Sequence, residues 1–91
     1  MAAERREKLD IIKDILEAIR AKGGEIKPTH LLYKSNLSHD SMKRYVADLM
    51  EKEMVAERQD KSSKKYVITN KGLQFLSSYQ QIVDLTDSFG F

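Results

Sequence analysis

The sequence predicts a mainly α-helical domain that carries a small β-hairpin. Three observations predict it. Apolar residues recur at three and four over two long segments near the ends of the chain and over a shorter one in the middle. Past residue 53 the period changes from 3.6 to 2. Helix stops and caps fall between the periodic segments.

The first segment runs from about Glu4 to Lys22, with Leu9, Ile12, Leu16 and Ile19 on one stripe. Ile11, Ile15 and Ala18 widen that stripe. At about 100° per residue the apolar arc covers roughly 180°, more than one core contact needs, so this helix should meet more than one neighbour. Gly23-Gly24 ends it. Glu25-Ile26-Lys27 is a short extended piece, and Pro28 suits the first position of a second helix over Thr29 to Tyr33. Lys34-Ser35-Asn36 breaks that helix, Asn36 tolerating turn geometry, and Leu37 anchors the turn. Ser38 is the expected cap of a third helix, with Asp40 in its first turn. Met42, Tyr45, Val46, Leu49 and Met50 make its inner face. The strand candidates are Met54 to Arg58 and Lys65 to Ile68, joined by the polar stretch Gln59 to Lys64. Thr69 caps a last helix over about 70–86, lined by Phe75, Leu76, Tyr79, Ile82 and Val83 and flanked by Leu73 and Leu85.

The order helix, extended piece, helix, turn, helix, hairpin, helix is that of a winged helix-turn-helix spanning residues 1–91 as one domain. In that architecture the third helix enters the major groove of double-stranded DNA. His39, Asp40, Lys43, Arg44 and Ala47 point away from its core. Arg44 and Lys43 can reach base edges or phosphates, and the small Ala47 lets the helix axis lie close to the duplex. Ser38 opens the helix, and Lys34, Ser35 and Asn36 before it are candidate phosphate contacts. On the wing, Lys61, Ser62, Ser63, Lys64 and Lys65 are candidates for the backbone or the minor groove.

Charge supports this and also opposes it. The formal net charge is only +2, but Arg58 to Lys71 carries five cations against one acid, while Gly72 onward holds only Asp84 and Asp87. A localised basic segment is what an anion-binding surface requires. Against it, Asp40 and Glu51 share the outward face with Arg44, and Asp40 to Glu57 has three cations against five acids. A winged helix that binds protein rather than DNA is therefore the alternative. A third possibility, a binder of single strands or RNA, would use Tyr33, Tyr45 and Tyr66 to stack bases. Their positions in the period assign them to the core instead.

Other chemistry finds little footing. There is no cysteine, so no disulfide and no thiolate zinc site. His30 and His39 are the two histidines, and their spacing matches no ligand pattern. Neither a glycine-rich phosphate loop nor a nucleophile paired with a base is present, so no enzyme, cofactor or small-molecule ligand is expected. No uncharged apolar run approaches a membrane span, and Met1 to Lys8 does not read as a secretory signal. The expected location is cytoplasmic, with the nucleoid.

Asn36-Leu37-Ser38, then Arg44-Tyr45, Leu49-Met50 and Tyr66-Val67-Ile68-Thr69-Asn70-Lys71-Gly72 resemble the small archaeal winged-helix DNA-binding proteins of about ten kilodaltons. That family's pattern reads roughly N-L-S, R-Y, L, then a strand ending in L-T-x-K-G. The resemblance runs from the first helix to about Tyr79. It implies DNA binding, chromatin association or transcription regulation, and a homodimer held by the last helix. Chromatin-associated members pair a long last helix as a coiled coil; here it stops near Thr86, too short for several heptads. The broad stripe of the first helix (Ile11, Ile15) and that of the last (Leu73, Leu76, Tyr79, Ile82, Val83) are the candidate two-fold interface.

Overall fold

A computed structural model describes the backbone of residues 2–91 and the side chains of residues 8–91. Helices α1 (Ala2–Ala21), α2 (Pro28–Ser35), α3 (His39–Glu51) and α4 (Asn70–Ser88) surround a small sheet of β1 (Glu25–Ile26), β2 (Val55–Asp60) and β3 (Ser63–Ile68). The sheet order is β1-β3-β2, with both pairings antiparallel.

Each helix boundary has a local chemical cause. At the end of α1 the Gly24 amide donates to the Ile19 carbonyl and the Gly23 amide to that of Arg20. That is the Schellman closure, and it puts Gly23 at φ 82°. The same closure ends α3, with Met54 donating to Leu49 and Glu53 to Met50. There Glu53 holds the left-handed position at φ 63°, where a side chain costs on the order of 1 kcal/mol. Asn36 ends α2 at φ 56° and ψ 34°. Ser38 caps α3, its Oγ accepting from the Ser41 amide at 3.2 Å, and Thr69 caps α4 by accepting from Gly72 at 3.1 Å.

The core takes Ile15, Leu16 and Ile19 from α1, Leu31 from α2, Met42, Val46 and Leu49 from α3, Leu76 from α4, and Ile26, Val55, Tyr66 and Ile68 from the sheet. Helix α1 touches α2, α4, β1 and β3. Those contacts cover the Ile15, Leu16 and Ile19 part of its wide apolar arc, while Leu9 stays exposed.

Several sequence expectations need correction. Tyr33 is not a core residue; it is 87% exposed. Leu31 fixes the buried side of α2, and two residues on, at about 200°, a side chain faces solvent. Ile15 is fully buried and Leu76 nearly so, which removes both from any surface that a second copy can touch. Ile11 is half-buried against the core. Lys34 and Ser35 belong to the last turn of α2, not to the turn after it. The polar stretch Gln59 to Lys64 is mostly strand: Gln59 pairs with Lys64 and Asp60 with Ser63, leaving Lys61 and Ser62 as the loop. A strand whose side chains are solvated needs no apolar alternation, so its polarity read as loop.

Candidate nucleic-acid interface

The third helix buries Met42, Val46 and Leu49, which turns the opposite face outward. His39, Asp40, Lys43, Arg44, Ala47 and Glu51 are all exposed there. The Arg44 guanidinium donates to Ser41 Oγ at 3.4 Å, a contact with a neutral group. Neither Lys43 nor Arg44 forms an ion pair with Asp40 or Glu51 among the described residues. Asp48, on the flank, is engaged by Lys52 at 2.7 Å, and that hydrogen bond lowers its pKa below the usual carboxylate range.

The turn before this helix offers fewer free groups than its composition promised. Lys34 and Asn36 are exposed. Ser35 is half-buried, with Oγ donating to the Leu32 carbonyl, and the Ser38 hydroxyl oxygen is occupied by its capping bond.

The wing separates its lysines into three environments. Lys61 sits at the tip, exposed, with φ 50°. Positive φ at the first of two loop residues is the sign pattern of a type II′ hairpin, a place that favours glycine. Ser62 beside it is exposed, and Ser63 Oγ donates to the Asp60 carbonyl. Lys64 lies with Nζ 5.6 Å from the centre of the Tyr66 ring and 4.0 Å from Glu57. Lys65 points to β1, where its Nζ donates to Glu25 Oε1 at 3.0 Å. Arg58, which the sequence reading did not single out, donates to the same oxygen at 2.6 Å. The register explains it: Arg58 faces Lys65, and Glu25 faces Val67, so all three share one side of the sheet. The hydrogen bond from Lys65, aided by the charge of Arg58, lowers the Glu25 pKa, so that carboxylate is ionised at neutral pH.

Among the described residues no group of three or more His, Asp or Glu is placed to hold a metal ion. No helix of the described residues is long and apolar enough to cross a membrane.

A helix-turn-helix whose second helix presents a solvated polar face, followed by a two-stranded wing, defines a winged helix-turn-helix. The sequence model of the winged helix-turn-helix family matches residues 5–87, and the chain belongs to that family. An uncharacterised protein of Methanocaldococcus jannaschii is 30% identical over 81 residues, covering 89% of this chain; the chain spans 36% of that protein's length. Sso10a-2, a DNA-binding protein from Sulfolobus solfataricus, superposes with a TM-score of 0.74 at 17% identity, over 89% of this chain and 82% of that one. A MarR family transcriptional regulator from Silicibacter pomeroyi superposes with a TM-score of 0.76 at 22% identity, over 96% of this chain and 60% of that one. The resemblance to archaeal winged-helix proteins seen in the residues is thus upheld at the level of fold and family.

Proposed function

We propose that this chain binds double-stranded DNA as a homodimer and acts as a transcription regulator or chromatin-associated protein of archaeal type, in the cytoplasm with the nucleoid. The observation that carries the reading is the solvated face of α3, with Lys43 and Arg44 in no ion pair among the described residues and Ala47 between them and the C-terminal turns. Arg44 and Lys43 serve groove or phosphate contacts, with His39, Lys34 and Asn36 at the rim. Lys61 and Lys64 serve the wing. Lys61 supports this by standing where glycine would be more comfortable, since strain of that kind collects at working sites. Lys65 acts less directly, because Glu25 already holds its ammonium.

The dimerising surface lies on α4, expected from the sequence over 70–86, and sits toward the C-terminal end of that stretch and on to Phe89. Leu73 stays exposed, Val83 is half-buried, and the half-buried Tyr79 is tied to α1 by its hydroxyl, which donates to Asp10 at 2.7 Å. Ile82, Leu85 and Phe89 supply the exposed stripe.

The test is fluorescence anisotropy with a random-sequence duplex, titrated from low salt to above physiological. Duplex binding whose logarithm falls steeply with log salt is expected. Absence of binding at low salt sinks the reading and favours a protein partner at Asp40 and Glu51. Lys61→Ala combined with Lys64→Ala should weaken binding to every sequence and reduce the salt slope by about two, since each released phosphate contact is worth about 0.9. An unchanged slope removes the wing from the interface.

A further inference from the structure

The cations that α3 and the wing tip do not use gather at the opposite end of the sheet. A hollow of about 450 Å³ opens beside edge strand β1, lined by Lys22 and Gly23 after α1, Glu25, Ile26 and Lys27 around β1, His30 of α2 and Lys65 of β3. Arg58 stands behind it through its bond to Glu25. The hollow and its margin thus hold four basic side chains, Lys22, Lys27, Lys65 and Arg58, against the one carboxylate of its lining. That carboxylate is committed, because a single oxygen of Glu25 accepts from both Arg58 and Lys65. Lys22 and Lys27 are exposed and make no ion pair or side-chain hydrogen bond among the described residues. His30, also exposed, adds two ring nitrogens. Positive charge in excess of the one committed carboxylate is a site for an anion from outside.

We infer that this hollow takes a backbone phosphate of the same DNA duplex, with Lys22 and Lys27 as the direct contacts, a surface separate from α3 and the wing tip. The inference rests on the duplex-binding reading. Two features favour a phosphodiester over a small free anion. The cations sit on long solvated stems rather than as buried donors, which suits neutralisation without close selection. The hollow is also joined to the wing by the backbone: β3 runs from the tip to its pairing with β1, and Lys65 lies on the side of the sheet that lines the hollow. At about 3.4 Å per residue the four steps from Ser63 to Val67 cover about 14 Å, the axial rise of about four nucleotides of a duplex. The hollow thus lies within about half a helical turn of duplex from the wing tip.

The test uses the whole chain and a Lys22→Gln, Lys27→Gln double variant, which should keep the wild-type melting temperature because both side chains are exposed. Anisotropy against log salt should show a slope reduced by about one to two and affinity at low salt lower by roughly tenfold, whatever the sequence. Hydroxyl-radical footprinting should lose protection at backbone positions at one edge of the footprint and keep it at the groove. Unchanged slope and footprint overturn the inference, and so does a loss of affinity that leaves the footprint intact, which is mere general charge. Inorganic phosphate at millimolar concentration that shifts the His30 resonances and leaves duplex binding untouched also overturns it, by assigning the hollow to a free phosphorylated ligand. If the wild-type chain binds no duplex, the functional reading fails as well; if it binds with the variant unchanged, this inference alone fails.

Discussion

Gly72→Ala is expected to lower the unfolding free energy by about 2 kcal/mol, and Gly72→Val by more. The direction is opposite to what helix propensity suggests. Gly72 lies in the first turn of α4, where alanine is ordinarily better than glycine by about 1 kcal/mol. Space decides against it. A Cβ at Gly72 would lie 2.5 Å from the Met54 carbonyl oxygen and 2.7 Å from Ile68 Cγ1. The first neighbour is backbone and cannot swing away. It also accepts the Thr69 amide at 3.1 Å, while Thr69 Oγ1 donates to the Glu53 carbonyl at 2.7 Å. Thr69 and Gly72 thus pin the start of α4 onto the chain between α3 and β2, and an added methyl group drives that joint apart. For a domain of this size the Ala variant should lose roughly 10 °C in melting temperature. Ser78→Ala, exposed on the same helix, should change it little. A Gly72→Ala variant as stable as wild type would mean that the joint yields without cost.

The same joint shows what a sequence can and cannot disclose. Thr69 was legible as a cap and Thr69-Asn70-Lys71-Gly72 as a family pattern, because a hydroxyl before a helix acts on amides a turn away. Ser38 and Asn36 were legible for the same reason: their chemistry is local. The need for glycine at position 72 was hidden, since it comes from Met54, which only the fold brings close. Pairing of Arg58 and Lys65 with Glu25 was equally hidden, because hairpin register, not composition, puts three charges on one side of the sheet. Lys22, Lys27 and His30 lie in separate elements and carry no shared motif. Tyr33 misled because three consecutive apolar residues cannot all face one core at about 100° per step. The wide stripe of α1 misled in another way. A periodicity shows that a face will be covered, but not whether its own chain or a second copy covers it. Leu16 and Ile19 turned out to be neighbours of Ile15 in one core.

That distinction sharpens the dimer prediction, which rests on the proposed two-fold pairing of α4. Ile82→Asp with Leu85→Asp should convert a dimer into a folded monomer. In the isolated chain Ile82 is 64% and Leu85 59% exposed, so neither substitution disturbs the core. Together with Phe89 at 71% and Phe91 at 90%, they leave an apolar strip on a small chain, the kind of surface that marks an interaction site. Two carboxylates in such a seam would be desolvated without partners. Leu76→Asp is the contrasting case: Leu76 sits in the core, so that change should unfold the chain whatever its oligomeric state. The functional effect should be large. Two recognition helices tied across a two-fold axis reach half-sites about one DNA turn apart, and linkage of this kind raises apparent affinity by about 10²–10⁴. Sedimentation should therefore show the double variant at half the wild-type mass and still cooperatively folded, its melting temperature lowered only by the lost dimer linkage, while duplex binding falls by two or more orders of magnitude. A variant that stays dimeric moves the interface off the end of α4. A wild-type chain that sediments as a monomer leaves the exposed strip to some other partner and makes each recognition helix act alone.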